Sequence, residues 1–291
     1  MNTNCFYLID KPKGITSFDV LRKLKKILNI KKMGHTGTLD PGATGLLLVA
    51  VWEYTKLIPY FEKDTKEYEF KIHLNGTSPS FDADSQITYI SQEQQEYFKI
   101  NLHQTHIHNI LQSHFTGKIL QMPPKYSALK IGWKKAIDMV RNGQDFELQA
   151  REVIIYKREI LKYHYPELYL KAKVSAGTYI RSIAQDLWNM LSTGWYTTFL
   201  RRTMIWNLTL QYAQILDNFD PLQKLSDEDI FSKDDFIQLY ENELNDLNNG
   251  KIIKNNLLSL EDQKTYFVKN ENFITNIVKV NGEYIIPMRK I

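Results

Sequence analysis

The 291-residue sequence contains very little cysteine, because Cys5 is the only one. A single thiol cannot form a disulfide within the chain, which excludes a disulfide-stabilised scaffold and indicates a reducing compartment. No apolar run reaches the roughly 18 residues that a membrane helix needs, and the N-terminus lacks the pattern of a signal peptide. We therefore expect a cytoplasmic protein with no membrane association.

The sequence also has little net charge, since 37 Lys and Arg stand against 33 Asp and Glu, a formal net charge of +4. The charge is distributed unevenly. Residues 11–32 carry eight Lys or Arg and one Asp, whereas residues 217–246 carry ten Asp or Glu and two Lys. A basic run of this kind is either a solvated helix face or a surface that attracts a polyanion such as RNA.

Residues 34–45 are rich in glycine, with Gly34, Gly37, Gly42 and Gly45 in twelve positions. Such a stretch disfavours both helix and strand because each glycine loses extra backbone entropy when it is ordered. Asp40 precedes Pro41, whose ring keeps Asp40 in an extended conformation. The apolar run 46–51 follows and predicts a buried strand. We therefore expect a shaped loop that presents the Asp40 carboxylate.

Periodicity predicts most of the remaining elements. The predicted helices are 18–28, 92–115 and 177–191, and the predicted strands are 6–9, 66–74, 153–156, 160–163 and 168–174. Arg181 lies in the first turn of the last helix, where a cation opposes the helix dipole. We therefore expect Arg181 to pair with a carboxylate, either Asp40 or the nearer Asp186.

Four histidines occur in the predicted helix 92–115, namely His103, His106, His108 and His114. No nearby Cys or carboxylate completes a set of four ligands. We therefore expect no metal here, and the polar face of an amphipathic helix is the simpler interpretation.

Residues 121–150 interleave cations with aromatic rings. The cations are Lys125, Lys130, Lys134, Lys135 and Arg141, and the rings are those of Tyr126 and Trp133. This composition is typical of a segment that grips an RNA backbone and stacks on exposed bases. A basic surface hairpin with no RNA partner is the alternative.

Several stretches match one family in the same order. Residues 34–41 (Gly-His-Thr-Gly-Thr-Leu-Asp-Pro) resemble the active-site motif of the TruB family of tRNA pseudouridine synthases. Four further stretches resemble other motifs of that family: 10–17, 121–130, 175–182 and 200–203. The resemblance extends from residue 6 to about residue 213.

The resemblance implies an α+β fold, with a central mixed, mostly antiparallel sheet flanked by helices. It implies a catalytic domain over residues 1–240, in which the arm at 121–150 closes over tRNA. Residues 241–291 weakly resemble a reduced, β-rich RNA-binding domain of the PUA type.

The resemblance also assigns roles to individual residues. It implies isomerisation of the T-loop uridine (position 55) of tRNA, with Asp40 as the catalytic carboxylate. The implied substrate-binding residues are His35, Tyr68, Tyr179, Arg181 and Leu200, and the implied RNA contacts are Lys11, Lys130, Lys134, Lys135 and Arg202. Because the isomerisation is redox-neutral, we expect no cofactor, and we expect a monomer with tRNA as its partner.

The sequence departs from the family at all five of its tryptophans. Trp52, Trp133, Trp188 and Trp206 stand where the family usually has glycine, and Trp195 where it has a small residue. An indole in a close-packed glycine site normally overpacks, at a cost of about 1–3 kcal/mol.

Two other functions fit the same features. A tRNA-binding or folding factor without catalysis would share the fold and the basic charge, although the combination of Asp40, Tyr68 and Arg181 favours an enzyme. A pseudouridine synthase acting on another RNA would be expected to carry partner-binding extensions, for which the chain has little room.

Overall fold

The computed structural model describes residues 4–61, 65–83, 85–124, 126–127, 129–256, 260–270 and 273–291. The α-helices are α1 (Ser17–Leu28), α2 (Ile58–Phe61), α3 (Gln92–Asn101), α4 (Gln104–His114), α5 (Ala136–Arg141), α6 (Ile180–Leu191), α7 (Asp227–Ile230) and α8 (Glu241–Asn248). The first ten strands are β1 (Cys5–Lys11), β2 (Met33–His35), β3 (Thr44–Val51), β4 (Lys66–His73), β5 (Gly76–Thr77), β6 (Thr88–Tyr89), β7 (Gly117–Gln121), β8 (Lys130–Ile131), β9 (Lys134–Lys135) and β10 (Arg151–His164). The others are β11 (Glu167–Val174), β12 (Tyr196–Ile205), β13 (Leu208–Thr209), β14 (Gln214–Ile215), β15 (Phe236–Ile237), β16 (Ile253–Lys254), β17 (Thr265–Asn270), β18 (Phe273–Asn281) and β19 (Tyr284–Lys290).

A large sheet forms the centre of the molecule, in the strand order β14-β1-β3-β12-β4-β11-β10-β7. The β1–β14 and β3–β12 pairs are parallel, and the other pairs along this path are antiparallel. Strands β2 and β13 pair with β3 and β12 respectively. The predicted α+β class with a mixed, mostly antiparallel sheet is confirmed.

Helices α1 and α6 bury their apolar faces against this sheet. Helix α1 begins at a capping box, in which the Thr16 side chain accepts from the Asp19 N–H and the Asp19 side chain accepts from the Thr16 N–H. Such a box satisfies two of the backbone donors that a helix start leaves unpaired. Val20 and Leu24 then pack against β1 and β3 with no exposure to solvent.

The predicted helix 92–115 is wrong in one respect, because it is two helices. Leu102 takes an extended conformation (φ −87°, ψ 97°) between α3 and α4, and its side chain is buried. Helix α3 buries none of its residues, whereas α4 buries Ile107 and Leu111. The chain therefore bends at Leu102, because only the second half of the segment has an apolar face that the core can take.

The predicted strands 153–156 and 160–163 are one strand, β10. Its pairing with β11 shifts between Ile155 and Lys157 and again between Ile160 and Lys162. β-bulges of this kind admit an extra residue without ending a strand. The extra residues are Tyr156 and Leu161, and the polar residues 157–159 between the two shifts pair regularly with β11, so they do not form a loop.

A second sheet, in the order β15-β17-β18-β19-β16, lies at the C-terminal end of the chain. Tyr54 joins it to the rest of the molecule, since its hydroxyl donates to Asp227 Oδ2 (3.0 Å) and accepts from the Ile274 N–H (3.2 Å). The rings of Phe231 and Phe267 are 4.2 Å apart at the same junction. The second sheet begins at Phe236, and the division into domains at residue 240 stays a prediction.

The five tryptophans are accommodated unequally. Trp52 and Trp206 both have φ +53°, in the left-handed region that favours glycine. The indole N–H groups of Trp52 and Trp188 are buried without a hydrogen-bond partner, and Trp133 is fully exposed. Trp195 is buried and stacks on Phe81, with 5.2 Å between ring centroids. Within the described residues, the observed costs are backbone strain and unpaired donors, and the overpacking stays a prediction.

No helix within the described ranges is long and apolar enough to span a membrane.

Candidate active site

The loop between β2 and β3 carries Asp40. The Ser17 hydroxyl fixes its approach, because it accepts from the Leu39 N–H (2.9 Å) and donates to the Leu39 carbonyl (3.1 Å). The Pro41 carbonyl accepts from the Gly14 N–H at 2.9 Å on the other side. Asp40 is thus held between two anchored neighbours, on a backbone that the start of α1 and the turn before it define.

Lys11 is one of these anchors, and its predicted contact with RNA is wrong. Its side chain is fully buried, and its Nζ donates to the carbonyls of Pro12 (2.9 Å), Ile15 (2.7 Å) and Pro41 (3.2 Å). Burial lowers the pKa of Lys11 to about 8, although the negative charge of Asp40 opposes the shift. Lys11 therefore holds the loop and cannot reach a phosphate.

Arg202 has a similar position, and the structure does not place it on an RNA-facing surface. It is 1% exposed, its Nε donates to the Leu46 carbonyl (2.7 Å) and its Nη2 to the Gly37 carbonyl (3.1 Å). These bonds tie β12 to both ends of the Asp40 loop. A Cβ at Gly45 (φ +102°) would lie 2.2 Å from the Arg202 carbonyl oxygen, so the parallel contact of β3 with β12 requires glycine there.

Arg181 pairs with Asp40, and not with Asp186. Its Nη2 lies 3.0 Å from Asp40 Oδ2 and donates to the Tyr126 carbonyl (2.9 Å), while its Nη1 donates to the Ser80 carbonyl (3.3 Å). The guanidinium therefore spreads its donors over three acceptors and does not form a two-pronged pair with the carboxylate. Asp186 is half-buried one turn further along α6, where burial raises its pKa to about 6.

A cavity of about 380 Å³ opens beside Asp40. Of the predicted site residues, the structure brings six to its wall: Asp40, Tyr68, Tyr179, Arg181, Leu200 and Arg202. Tyr68 comes from β4, where it belongs to the apolar face that also carries Phe70 and Ile72. The Tyr68 ring therefore packs in the core and also lines the cavity. The cavity combines one carboxylate with aromatic, apolar and cationic side chains.

His35 does not line this cavity. It lies in β2, opposite Val49 of β3, and its Nδ1 is buried without a hydrogen-bond partner. Burial, together with the charge of Arg202, lowers the pKa of His35 to about 4. His35 therefore places a neutral imidazole next to the Asp40 loop.

Sequence reasoning missed Lys66 and Arg151, which also line the cavity. Lys66 is the first residue of β4, two positions before Tyr68, and the alternation of that strand could have placed it on the same face. The Arg151 guanidinium lies 4.8 Å from the centre of the Tyr179 ring. No local signal indicates this contact, because the two residues meet only through the pairing of strands.

The predicted RNA-binding arm contains the short hairpin β8–β9 and helix α5. Lys134 is exposed, and its Nζ donates to Gln144 Oε1 at 3.2 Å. The side chains of Lys130 and Lys135, and the whole of Lys125, lie outside the part of the structure that is described. The RNA contacts of these residues stay predictions.

Metal-ligating side chains do not gather in the described ranges, where no group of three His, Cys, Asp or Glu is close enough to hold an ion. Among its described wall residues, the cavity beside Asp40 contains a single carboxylate, which can act as a nucleophile or a base.

Comparison with known proteins identifies one family. Residues 25–180 match the family described as TruB family pseudouridylate synthase (N terminal domain). The chain is 33% identical over 288 residues to the tRNA pseudouridine synthase B of Mycoplasma mycoides, covering 96% of this chain and 97% of that protein. It is 41% identical over 204 residues to the protein of the same name from Endomicrobium trichonymphae, covering 70% and 86% of the two chains.

The fold is also that of a solved structure with low sequence identity. A chain of the Cbf5–Nop10–Gar1 complex superposes with a TM-score of 0.70 at 20% identity, over 98% of this chain and 84% of that one. The extent of the sequence matches settles the family: this chain belongs to the TruB family of pseudouridylate synthases.

Proposed function

We propose that the chain converts the T-loop uridine (position 55) of tRNA into pseudouridine, with Asp40 as the catalytic carboxylate. The observation that carries the proposal is the placement of Asp40 at the cavity wall, with one oxygen 3.0 Å from Arg181. The Asp40 side chain is 40% exposed, whereas that of Arg181 is 7% exposed. A buried cation therefore orients a carboxylate that remains open to a substrate.

The isomerisation requires no chemical group beyond the Asp40 carboxylate and the side chains around it. The C1′–N1 bond of the uridine breaks, the uracil turns, and a C1′–C5 bond forms. The proton on C5 is then lost, and N1 carries a proton in the product, so that no electrons are exchanged with an outside group. Asp40 acts as nucleophile or base on the sugar or the ring.

The uridine must leave the RNA stack before the carboxylate can reach it. A volume of about 380 Å³ lies within the usual range for small-molecule sites. We assign Tyr68 to stacking on the uracil and to the proton on C5, and Tyr179 and Leu200 to the remaining walls. Each of these three side chains lines the cavity.

The tRNA substrate is supported by the relatives named tRNA pseudouridine synthase B. We assign phosphate contacts to the arm at 121–150, where Lys134 is exposed. The C-terminal residues 241–291 add a second RNA contact of the PUA type. The protein acts on its tRNA as a monomer in the cytoplasm.

Replacement of Asp40 tests the proposal. Asp40→Asn preserves the size of the side chain and removes its charge, so binding of unmodified tRNA should stay within about tenfold, or roughly 1.4 kcal/mol. Pseudouridine should fall below detection when the tRNA is mapped after incubation. An active Asp40→Asn enzyme would limit Asp40 to shaping the loop, since Asn is an equally good turn residue.

Two controls complete this experiment. Asp186→Asn removes another half-buried carboxylate that does not touch Arg181, and its turnover should stay near that of the wild type. A tRNA with cytidine at position 55 should acquire no pseudouridine. Modification of that tRNA at another uridine would show that the T-loop is not the target.

A further inference from the structure

The two ends of the RNA-binding arm meet at the wall of the cavity. Gln121, the last residue of β7, pairs directly with Arg151, the first residue of β10. The rest of the arm occupies the 29 residues between them. We call this pair the arm base.

Both residues of the arm base hold Tyr179. Gln121 is fully buried; its Oε1 accepts from the Tyr179 N–H at 2.8 Å, and its Nε2 donates to the Tyr179 carbonyl at 3.1 Å. The Arg151 guanidinium lies over the Tyr179 ring and donates to the Gly177 carbonyl. Gln121 thus fixes the backbone of Tyr179, while Arg151 fixes its ring by a cation–π contact.

The residues that follow Gln121 also accept hydrogen bonds from the first turn of α6. The Ser182 hydroxyl donates to the Met122 carbonyl at 2.7 Å, and Arg181 Nη2 donates to the Tyr126 carbonyl at 2.9 Å. Tyr179 itself stands at the N-cap of α6 without a side-chain cap of its own. The first strand of the arm therefore supplies partners to the helix start that carries Tyr179 and Arg181.

We propose that Gln121 and Arg151 are positioning residues, which set the Tyr179 ring in the uridine pocket. Arg151 lies against one face of the ring and leaves the other side for the substrate. This inference rests on the proposed function.

Arg151 provides the test, because its guanidinium contacts the Tyr179 ring and the Gly177 carbonyl beside it, and both contacts lie at the cavity. Arg151→Met keeps the aliphatic stem and removes the charge, and should slow single-turnover conversion at saturating tRNA by about tenfold. Arg151→Lys should recover part of that loss, since an ammonium also binds an aromatic face. The affinity for tRNA and the melting temperature should change little. A wild-type rate for Arg151→Met would overturn the inference.

Arg158 is the matched control. It lies on the same strand and is half-buried, but it donates to the Leu111 carbonyl and to Gln112 Oε1, away from the cavity. Arg158→Met should keep the wild-type single-turnover rate. An equal loss in both variants would mean that positive charge on β10 matters in general, and would overturn a specific role for Arg151.

A double-mutant cycle separates positioning from direct RNA contact. In a Tyr179→Leu background, Arg151→Met should have little further effect, because residues that act through one another are not additive. Additive losses, or a smaller salt dependence of binding, would identify Arg151 as a phosphate contact instead. If the wild type itself makes no pseudouridine, the proposed function fails; an active wild type with additive losses removes only this inference.

The tryptophans carry a second, independent inference. Trp206 and Asn207 form the two-residue turn between β12 and β13, and Gly132 and Trp133 form the turn between β8 and β9. Such turns favour glycine and asparagine. Trp206 has a left-handed backbone, as Trp52 has at the end of β3. For a bulky side chain this conformation is a genuine outlier.

These sites lie far apart in the chain and have in common only that each is a tryptophan. A single codon explains one residue type at several separate sites. The sequence has 13 glycines in 291 residues, below the usual share of about 7%. We infer that tryptophan positions 52, 133 and 206 are encoded by UGA, which different genetic codes read as tryptophan or as glycine, and that the source organism inserts glycine. The natural protein then has glycine at 52, 133 and 206.

Peptide mass spectrometry of the protein isolated from its source organism tests this directly. Peptides that span residues 52 and 206 should have the mass of glycine at those positions, and a tryptophan mass there would overturn the inference. In the recombinant chain, Trp206→Gly should raise the melting temperature by a few degrees. Asn29→Gly is the control, since Asn29 has the same φ of +53° and asparagine tolerates that conformation.

Discussion

Arg181 Nη2 lies 3.0 Å from Asp40 Oδ2, across 141 positions of sequence, and the same nitrogen donates to the Tyr126 carbonyl. The arginine is buried and the aspartate is open to the cavity. The carboxylate therefore faces a buried positive charge. The arrangement fixes the direction of the group that meets the substrate.

Arg181→Lys should therefore lower turnover by at least tenfold, since a lysine ammonium cannot serve Asp40, Tyr126 and Ser80 from one planar group. Arg181→Met should cost more, because it leaves two carbonyls and a carboxylate without their donor. Single-turnover rates with unmodified tRNA measure both variants. Equal activity of Arg181→Lys and the wild type would mean that charge alone is sufficient.

Lys11→Met should destabilise the protein by about 1–3 kcal/mol, because three backbone carbonyls lose a buried donor. Turnover should fall as well, since the Pro41 carbonyl is one of the three. Urea denaturation measures the first effect. Lys13→Met, an exposed lysine two positions away, is the control and should leave the free energy of unfolding unchanged within error.

His35 makes the stability depend on pH. Its pKa is about 4 in the folded chain and about 6.5 when unfolded, so between these values only the unfolded chain binds the proton. The free energy of unfolding should therefore fall as the pH drops from 6.5 to 4, by about 3 kcal/mol from this group. Urea titrations of wild type and His35→Gln across this range check it. Parallel pH profiles of the two proteins would contradict the assignment.

Replacing Lys130, Lys134 and Lys135 by alanine should weaken tRNA binding and reduce its salt dependence. Each lost phosphate contact should flatten the slope of log affinity against log salt by about 0.7–0.9. Filter binding at several salt concentrations gives the slope. Lys99→Ala, on the exposed helix α3, removes one lysine outside the arm and is the control for each single replacement. An unchanged slope in the triple variant would remove the arm from the RNA interface.

The sequence was sufficient for the loop, and it narrowed the partner of Arg181 to Asp40 or Asp186, for identifiable physical reasons. Four glycines and an Asp-Pro pair leave few conformations to residues 34–45, and an arginine at a helix start requires a nearby anion. The alternation of apolar and polar residues along β4 placed Tyr68 on the apolar face, and this needed no information about the rest of the fold. Each of these features is set by neighbours along the chain.

The corrections concern contacts between distant parts of the chain. Lys11 and Arg202 look like surface cations, but both are buried because carbonyls from the Asp40 loop converge on them. Burial depends on how strands are ordered in the sheet, and local composition does not contain that order. The break at Leu102 has the same origin, since the core accepts α4 and not α3.

The position of β12 between β3 and β4 also determines when this protein can become active during synthesis. The loop with Asp40 leaves the ribosome long before Arg181 and Arg202, which hold it in place. Until β12 emerges, the facing edges of β3 and β4 have no partner, and unpaired strand edges are prone to aggregate. The nascent chain therefore carries the Asp40 loop without Arg181 and Arg202 until some 200 of its 291 residues have been made, and its pocket forms only in the last third of translation.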